Sequence, residues 1–270
     1  MLKNMTNNYL LLVTNRDLVS KLKDESNVTF LFPIKEFSVG FSNPFSLEEI
    51  SVPHAFIFVD RILDQDGIQK FREFVQGLPD SIEGIVFDDI GVLQVLREIP
   101  NHLTKILFLN HFNCNYMSVN AYLEFVDSVV LSTDITEGEV KEILDKADKP
   151  LVLYTFGHVN IMYSRRRLIT NYNAHFQKDE PLDSCLTNDL GQTFQMVENE
   201  YGTVIYTGEP FNGLRYRGMN NVLYHLIHTA FLSDEEVISI LHSSSNLEDR
   251  YPYAYLSKEE TIVRIKERDV

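Results

Sequence analysis

The sequence predicts an α/β fold: a single TIM-like (β/α)8 barrel with a β-hairpin inserted before the last unit. Three observations carry that expectation. Short, near-continuous apolar runs alternate with amphipathic runs, the mark of parallel strands covered by helices. Seven or eight such units within 270 residues suit a closed barrel better than an open doubly wound sheet. Finally, the one segment resembling a phosphate loop, DDIGVL at 88–93, has a single glycine in neither the dinucleotide nor the Walker spacing.

Taken in order, Tyr9–Val13 reads as a strand, and 15–25 carries Leu18, Val19 and Leu22 at helical spacing. Val28–Pro33 is the second strand, followed by an irregular stretch, 35–46, punctuated by glycine and proline. Ala55–Val59 is the third strand, and Ile68, Phe71, Phe74, Val75 and Leu78 mark its helix. Gly84–Phe87 ends in Asp88 and Asp89 before a helix through Val92, Leu93 and Leu96. Ile106–Leu109 ends in Asn110 and His111, and Met117, Tyr122, Leu123 and Val126 line the helix after it. Ser128–Leu131 ends at Thr133 and Asp134. Thr136 and Glu139 then form a capping-box pair that opens a helix through Val140, Ile143 and Leu144. Leu151–Phe156 is the seventh strand.

Beyond Arg167 the rhythm breaks. Residues 171–190 read as polar loop. Thr193–Val197 and Thr203–Thr207 flank Glu200, Tyr201 and Gly202 as a hairpin, an insertion over about 191–208. Val222, Leu223, Leu226 and Ile227 mark a helix, and Ala230–Leu232 is a short candidate eighth strand. Ser233 with Glu236 caps a closing helix bearing Val237, Ile238 and Leu241. The expected organisation is one barrel domain, 1–243, and a polar tail, 244–270.

Composition narrows the function classes. The chain is 44% hydrophobic with 18 Phe and 13 Tyr, enough for a large core. No run approaches the roughly 18 apolar residues of a membrane span, and the N-terminal apolar run is too short for a signal peptide. A cytoplasmic protein with no membrane contact is expected. Cys114 and Cys185 alone make no metal-cluster framework, and a cytosolic disulfide is not expected. The net charge of -15 argues against non-specific binding along nucleic acid but leaves room for a local basic mouth.

In a parallel barrel, chemistry gathers at the C-terminal strand ends. Those ends supply Asn15, Lys35, Asp60, Arg61, Asp88, Asp89, Asn110, His111, Thr133, Asp134, Gly157 and His158. Aspartates there often cap helices, a role assigned to Asp134 and to one of Asp88 and Asp89. His111 and His158 are each open to a simple backbone-carbonyl partner. After the seventh strand come three adjacent guanidiniums, Arg165, Arg166 and Arg167. They repel one another, so they either face solvent as a turn or meet an anion, helped by a helix opening near Leu168.

The segment LYTFGHVNIMYSRRRLITNY, 153–172, resembles the signature of the collagenase-like U-32 peptidase family. EGIVFDDIGVLQVLREIP, LFLNHFNCNYMSVNAYLEF and SVVLSTDITEGEVKEI resemble three further segments of that family in the same order. The likeness runs from about Tyr9 to about Leu241 and is strongest over 84–170. It implies a TIM-like barrel. It also implies either peptidase activity or a place among cytoplasmic proteins needed to hydroxylate RNA or a quinone precursor, several of which bind an iron–sulfur cluster.

Carried over by position, the signature cysteines fall on Asn160 and Arg167, and the signature glycine falls on Arg165. Arg166, Tyr163 and Ser164 keep the pattern. The glutamate after strand six falls on Asp134, with Thr133 replacing an arginine. Amide and guanidinium do not ligate a cluster as thiolates do, so no iron–sulfur cluster and no other cofactor are expected. A divalent metal at Asp60, Asp88, Asp89, His111 and His158 is the weaker alternative. No Ser–His–Asp order or His-Glu-x-x-His motif appears.

The resulting expectation is a peptidase-like barrel that binds an anionic substrate at its mouth. Asp88 and His158 would move protons. Arg165, Arg166, Arg167, Asn160, Tyr163, Ser164, Asp60 and His111 would bind substrate. The expected partners are an anionic small molecule, a peptide or an RNA loop. The alternative is a non-catalytic subunit serving a cluster-bearing paralogue.

Overall fold

The computed structural model describes residues 8–109 and 111–242. The expectations for Asn110 and for the tail at 244–270 lie outside the described residues. The described residues form a mixed α/β fold around a curled, parallel-dominated nine-stranded sheet with seven α-helices.

The sheet is built from β1 (Tyr9–Leu12), β2 (Val28–Pro33), β3 (Ala55–Val59), β4 (Ile82–Phe87), β5 (Thr104–Leu107) and β6 (Ser128–Val129), each parallel to the next. Three of the later strands complete it. They are β7 (Leu151–Gly157), the two-residue β12 (Phe211–Asn212) and β13 (Val222–His228), and the order is β12-β7-β13-β1-β2-β3-β4-β5-β6. Beyond β6, Val130 forms an isolated parallel bridge with Val152, and Leu131 N–H donates to Val152 O at 3.0 Å. The β6 end of the sheet therefore touches β7.

Period-two alternation explains both faces. Leu11, Ile57, Ile85 and Leu107 point outward and pack with helix residues such as Phe71, Val92, Val119 and Ile143. Their neighbours Leu10, Leu31, Phe56, Val86, Ile106, Val130, Val152 and Leu226 form a second cluster on the inner face. With both faces buried, these strands read as continuous apolar runs. The outer layer is α1 (Arg16–Leu22), α2 (Gln65–Gln76), α3 (Ile90–Glu98), α4 (Tyr116–Leu123), α5 (Glu137–Lys146) and α7 (Asp234–Leu241). Both expected capping boxes form, Thr136 with Glu139 and Ser233 with Glu236.

The expected eight strand–helix units hold only coarsely. After β2 comes a 3-10 turn, Leu47–Glu49, in place of an α-helix. Residues 222–228 are a strand, not a helix. Their apolar spacing fits a helix, but the run is short and pairs in parallel with both β7 and β1, which decides the matter. Residues 230–232 are a turn with Phe231 at φ 65°, not a strand.

Between β7 and β12 the chain makes a second, antiparallel sheet. Its strands are β8 (Asn160–Ser164), β9 (Asp183–Thr187), β10 (Thr193–Asn199) and β11 (Gly202–Thr207), in the order β8-β11-β10-β9. The expected hairpin is its β10–β11 pair. The stretch 171–190, expected as loop, holds β9 and the end of α6 (Leu168–Phe176). Tyr206 Oη donates to Gly40 O at 3.0 Å and Asn199 Nδ2 to Ser38 O at 3.2 Å, which pins this sheet to the β2–β3 connection. Gly40 is required there: it has φ 72°, and a Cβ would lie 2.4 Å from Tyr206 Oη.

Candidate active site

The C-terminal ends of the parallel strands and the start of the second sheet enclose a cavity of about 350 Å³. Its aromatic wall is a row of rings. Phe41 meets Phe58 at 6.0 Å between centroids, Phe58 meets Phe108 at 6.1 Å, and Phe108 meets Tyr154 at 6.1 Å. Asp60, Asp88, His111, His158, Asn160 and Tyr163 also line the cavity, so six of the expected site residues converge there.

Asp60 follows β3 and is 7% exposed. Burial pushes its carboxyl up to about 7, although Val39 N–H donates to Oδ1 at 2.9 Å. Asp88 follows β4. Burial raises it well above the carboxylate range, and the neighbouring charges of Asp60 and Asp89 add to the rise. Its Oδ1 is buried with no hydrogen-bond partner. Asp89 has the other role: it caps α3 by accepting from Gly91 N–H at 2.7 Å, and it also accepts from Leu63 N–H at 2.9 Å. The division of the pair into a cap and a cavity residue is thus resolved. Asp134 is not a cap, because Thr136 takes that place. Asp134 instead pairs with His111 Nδ1 at 2.8 Å on an exposed rim.

His158 is 5% exposed, and its Nδ1 lies 2.7 Å from Thr207 O. A carbonyl can only accept, so Nδ1 carries the proton, and in the neutral ring Nε2 is the acceptor. Burial lowers the His158 pKa and favours that neutral ring. Tyr154 Oη donates to His158 O at 2.7 Å and fixes the backbone here. The adjacent Gly157 has φ 128°, and a Cβ would stand 2.4 Å from His228 O, so only glycine lets β7 pass β13 this closely. Burial pushes Tyr163 up to about 12, with the charge on Asp60 adding to it.

The arginine triplet and Ser164 are not among the cavity's lining residues. Arg165 donates to Asp64 Oδ2 at 3.0 Å, and Arg167 Nε lies 3.6 Å from Glu198 Oε1. Arg166 is exposed; its N–H donates to Ser164 Oγ at 3.1 Å, and its carbonyl accepts from Thr203 Oγ1. The start of α6 already has an anion of its own. Buried Glu198 accepts from Ile169 N–H at 2.7 Å, from Thr170 N–H at 3.2 Å, and from the hydroxyls of Thr170 and Thr203.

Sequence reasoning missed His228 and Tyr206. His228 ends β13, lines the cavity and is 4% exposed. Its Nδ1 has no partner, and burial, helped by the charge on His158, lowers it to about 3. It stacks on Tyr206 at 5.5 Å. Reading 222–228 as a strand would have placed His228 at a strand end with the other candidates.

No group of three or more His, Cys, Asp or Glu residues suited to a metal ion occurs among the described residues. Nor does the donor set fit an iron–sulfur cluster. Asn160 and Arg167 offer no thiolate, Cys114 precedes α4, and Cys185 is exposed on β9. No described helix is long and apolar enough to cross a membrane.

The family model for peptidase family U32 matches residues 51–221. Among solved structures, the crystal structure of the Bacillus cereus spore cortex-lytic enzyme SleL is similar at 11% identity and a TM-score of 0.43. The match covers 89% of this chain and 75% of that one. No curated protein matches the chain in sequence.

Proposed function

The chain belongs to peptidase family U32, and we propose that it is a cytoplasmic, peptidase-like hydrolase working in the cavity at the strand ends. The parallel strands are read as a barrel closed at Val130 and Val152, with that cavity as its mouth. One observation carries the reading: partly buried Asp88 has a buried oxygen, Oδ1, with no hydrogen-bond partner, beside the buried carboxyl of Asp60 on a concave aromatic wall.

The two carboxyls resist ionising together, so one stays protonated near neutral pH. Protonated Asp88 donates to the nitrogen that leaves when the amide C–N bond breaks. Water adds to the carbonyl carbon, and its proton passes to His158 Nε2, the acceptor left by the Thr207 contact. Exchange with solvent then resets both groups. An anionic part of the substrate would be met by Arg166, since Arg165 and Arg167 already pair with Asp64 and Glu198.

A second reading is a non-catalytic subunit serving a cluster-bearing paralogue in RNA or quinone-precursor hydroxylation. It is favoured by Asn160 and Arg167 at the positions of the family's cysteines. Cleavage of internally quenched peptides by the full chain separates the two. The hydrolase reading expects turnover that falls about a hundredfold or more in Asp88→Asn. Absence of cleavage by the wild type, or an Asp88→Asn variant as fast, rejects it.

A further inference from the structure

The charge balance of the cavity points to its ligand. Among the described residues, the lining holds two carboxyls and neither lysine nor arginine. Asp88 Oδ1 is buried without a donor, and His228, itself 4% exposed, has an Nδ1 without a partner. An anionic ligand would add a further negative charge beside Asp60 and Asp88. A neutral one would leave the charge of the ionised member of that pair unmet.

The walls and rim add shape. The ring faces of Phe41, Phe58, Phe108 and Tyr154 carry the negative side of the aromatic quadrupole, which attracts a cation. At the opening, Ile62, Phe112, Ile161 and Met162 are large apolar side chains left exposed, Phe112 at 68%. The cavity is therefore acidic and aromatic within and apolar at its edge.

We infer that the cavity binds a protonated amine on an apolar body, and that this amine is the free N-terminus of a peptide whose first residue is apolar. The ammonium supplies the donors that Asp88 Oδ1 and His228 Nδ1 lack, and the ionised member of the Asp60–Asp88 pair is its counter-ion. The apolar first side chain covers the rim. The inference rests on the hydrolase reading only in choosing a peptide as the amine's carrier.

Calorimetric titration of the full chain tests it with three C-terminally amidated probes at one pH: phenylalanyl-diglycine amide, its N-acetyl form, and 3-phenylpropionyl-diglycine amide, which lacks the amine. The free amine should bind, and both neutral analogues should bind at least about tenfold more weakly, since each leaves the ionised member of the Asp60–Asp88 pair without its counter-ion. Asp88→Asn should erase that preference while its circular dichroism stays native; Asp60→Asn serves if Asp88→Asn does not fold. Equal binding of all three probes, or no binding of any, overturns the inference. Cleavage of free and N-acetylated peptides at equal rates overturns it and leaves the hydrolase reading standing. Amine-selective binding without any cleavage does the reverse.

Discussion

Replacing Asp60 with asparagine should make the protein more stable at pH 8 and change little near pH 4. The carboxyl moves from 3.8 to about 7 on folding because burial penalises its charge. Between those values the folded state keeps a proton that the unfolded chain has released. Stability therefore falls as pH rises through that window, by about 1.4 kcal/mol per unit, and levels off above about 7. The whole window is worth about 4 kcal/mol, and the part between pH 5 and pH 7 about 3 kcal/mol.

Asparagine does not titrate, yet its Oδ1 can still accept from Val39 N–H as Asp60 does at 2.9 Å. The variant thus removes the charge and keeps the bond. Urea unfolding of both proteins at pH 5, 6, 7 and 8 gives the difference directly, and the background from the net charge of -15 largely cancels. The advantage of Asp60→Asn should grow with pH up to about 7 and then flatten. A difference that stays level from pH 5 to pH 8 would refute the assignment of a buried, proton-holding carboxyl.

Three further outcomes follow from the same contacts. Glu198→Ala should cost about 2–4 kcal/mol in urea unfolding, because it strips the start of α6 and two threonine hydroxyls of their acceptor; a loss under about 0.5 kcal/mol would contradict that role. Arg166→Ala should leave stability within about 0.5 kcal/mol, since the residue is exposed; phosphate titrated at two salt concentrations then reads whether it holds an anion, and equal binding by the variant excludes it. Anaerobically purified protein should show no broad visible absorbance, because Asn160 and Arg167 stand where the family places cysteines; iron and sulfide surviving desalting in stoichiometric amounts would show otherwise.

The barrel-like half of the molecule was legible because its strands are buried on both faces. Val28–Pro33 and Ala55–Val59 have the same bounds in sequence pattern and structure. The second sheet was harder to see. Asn160–Ser164 and Asp183–Thr187 are short, partly exposed strands whose stability comes from β10 and β11, partners the local sequence does not announce. Asp60, Asp88, His111 and His158 were visible as strand-end residues. His228 was not, because the helical spacing of Val222, Leu223, Leu226 and Ile227 concealed its strand. The arginine triplet drew attention through its charge, but Asp64 and Glu198, which pair with two of its members, lie far off in sequence and carry no local signal.

The position of β1 bears on how the chain is made. β1 pairs with β2 on one side and with β13 on the other, where Tyr9 meets His225, 216 residues later by their numbers. At a ribosome adding roughly 5–20 residues per second, β1 waits about ten to forty seconds with one apolar edge open. All four of its residues are buried once folding is complete, so the nascent chain carries a sticky strand through most of its synthesis. A factor that shields the first strand during translation would therefore cover an edge that the finished protein closes only with β13.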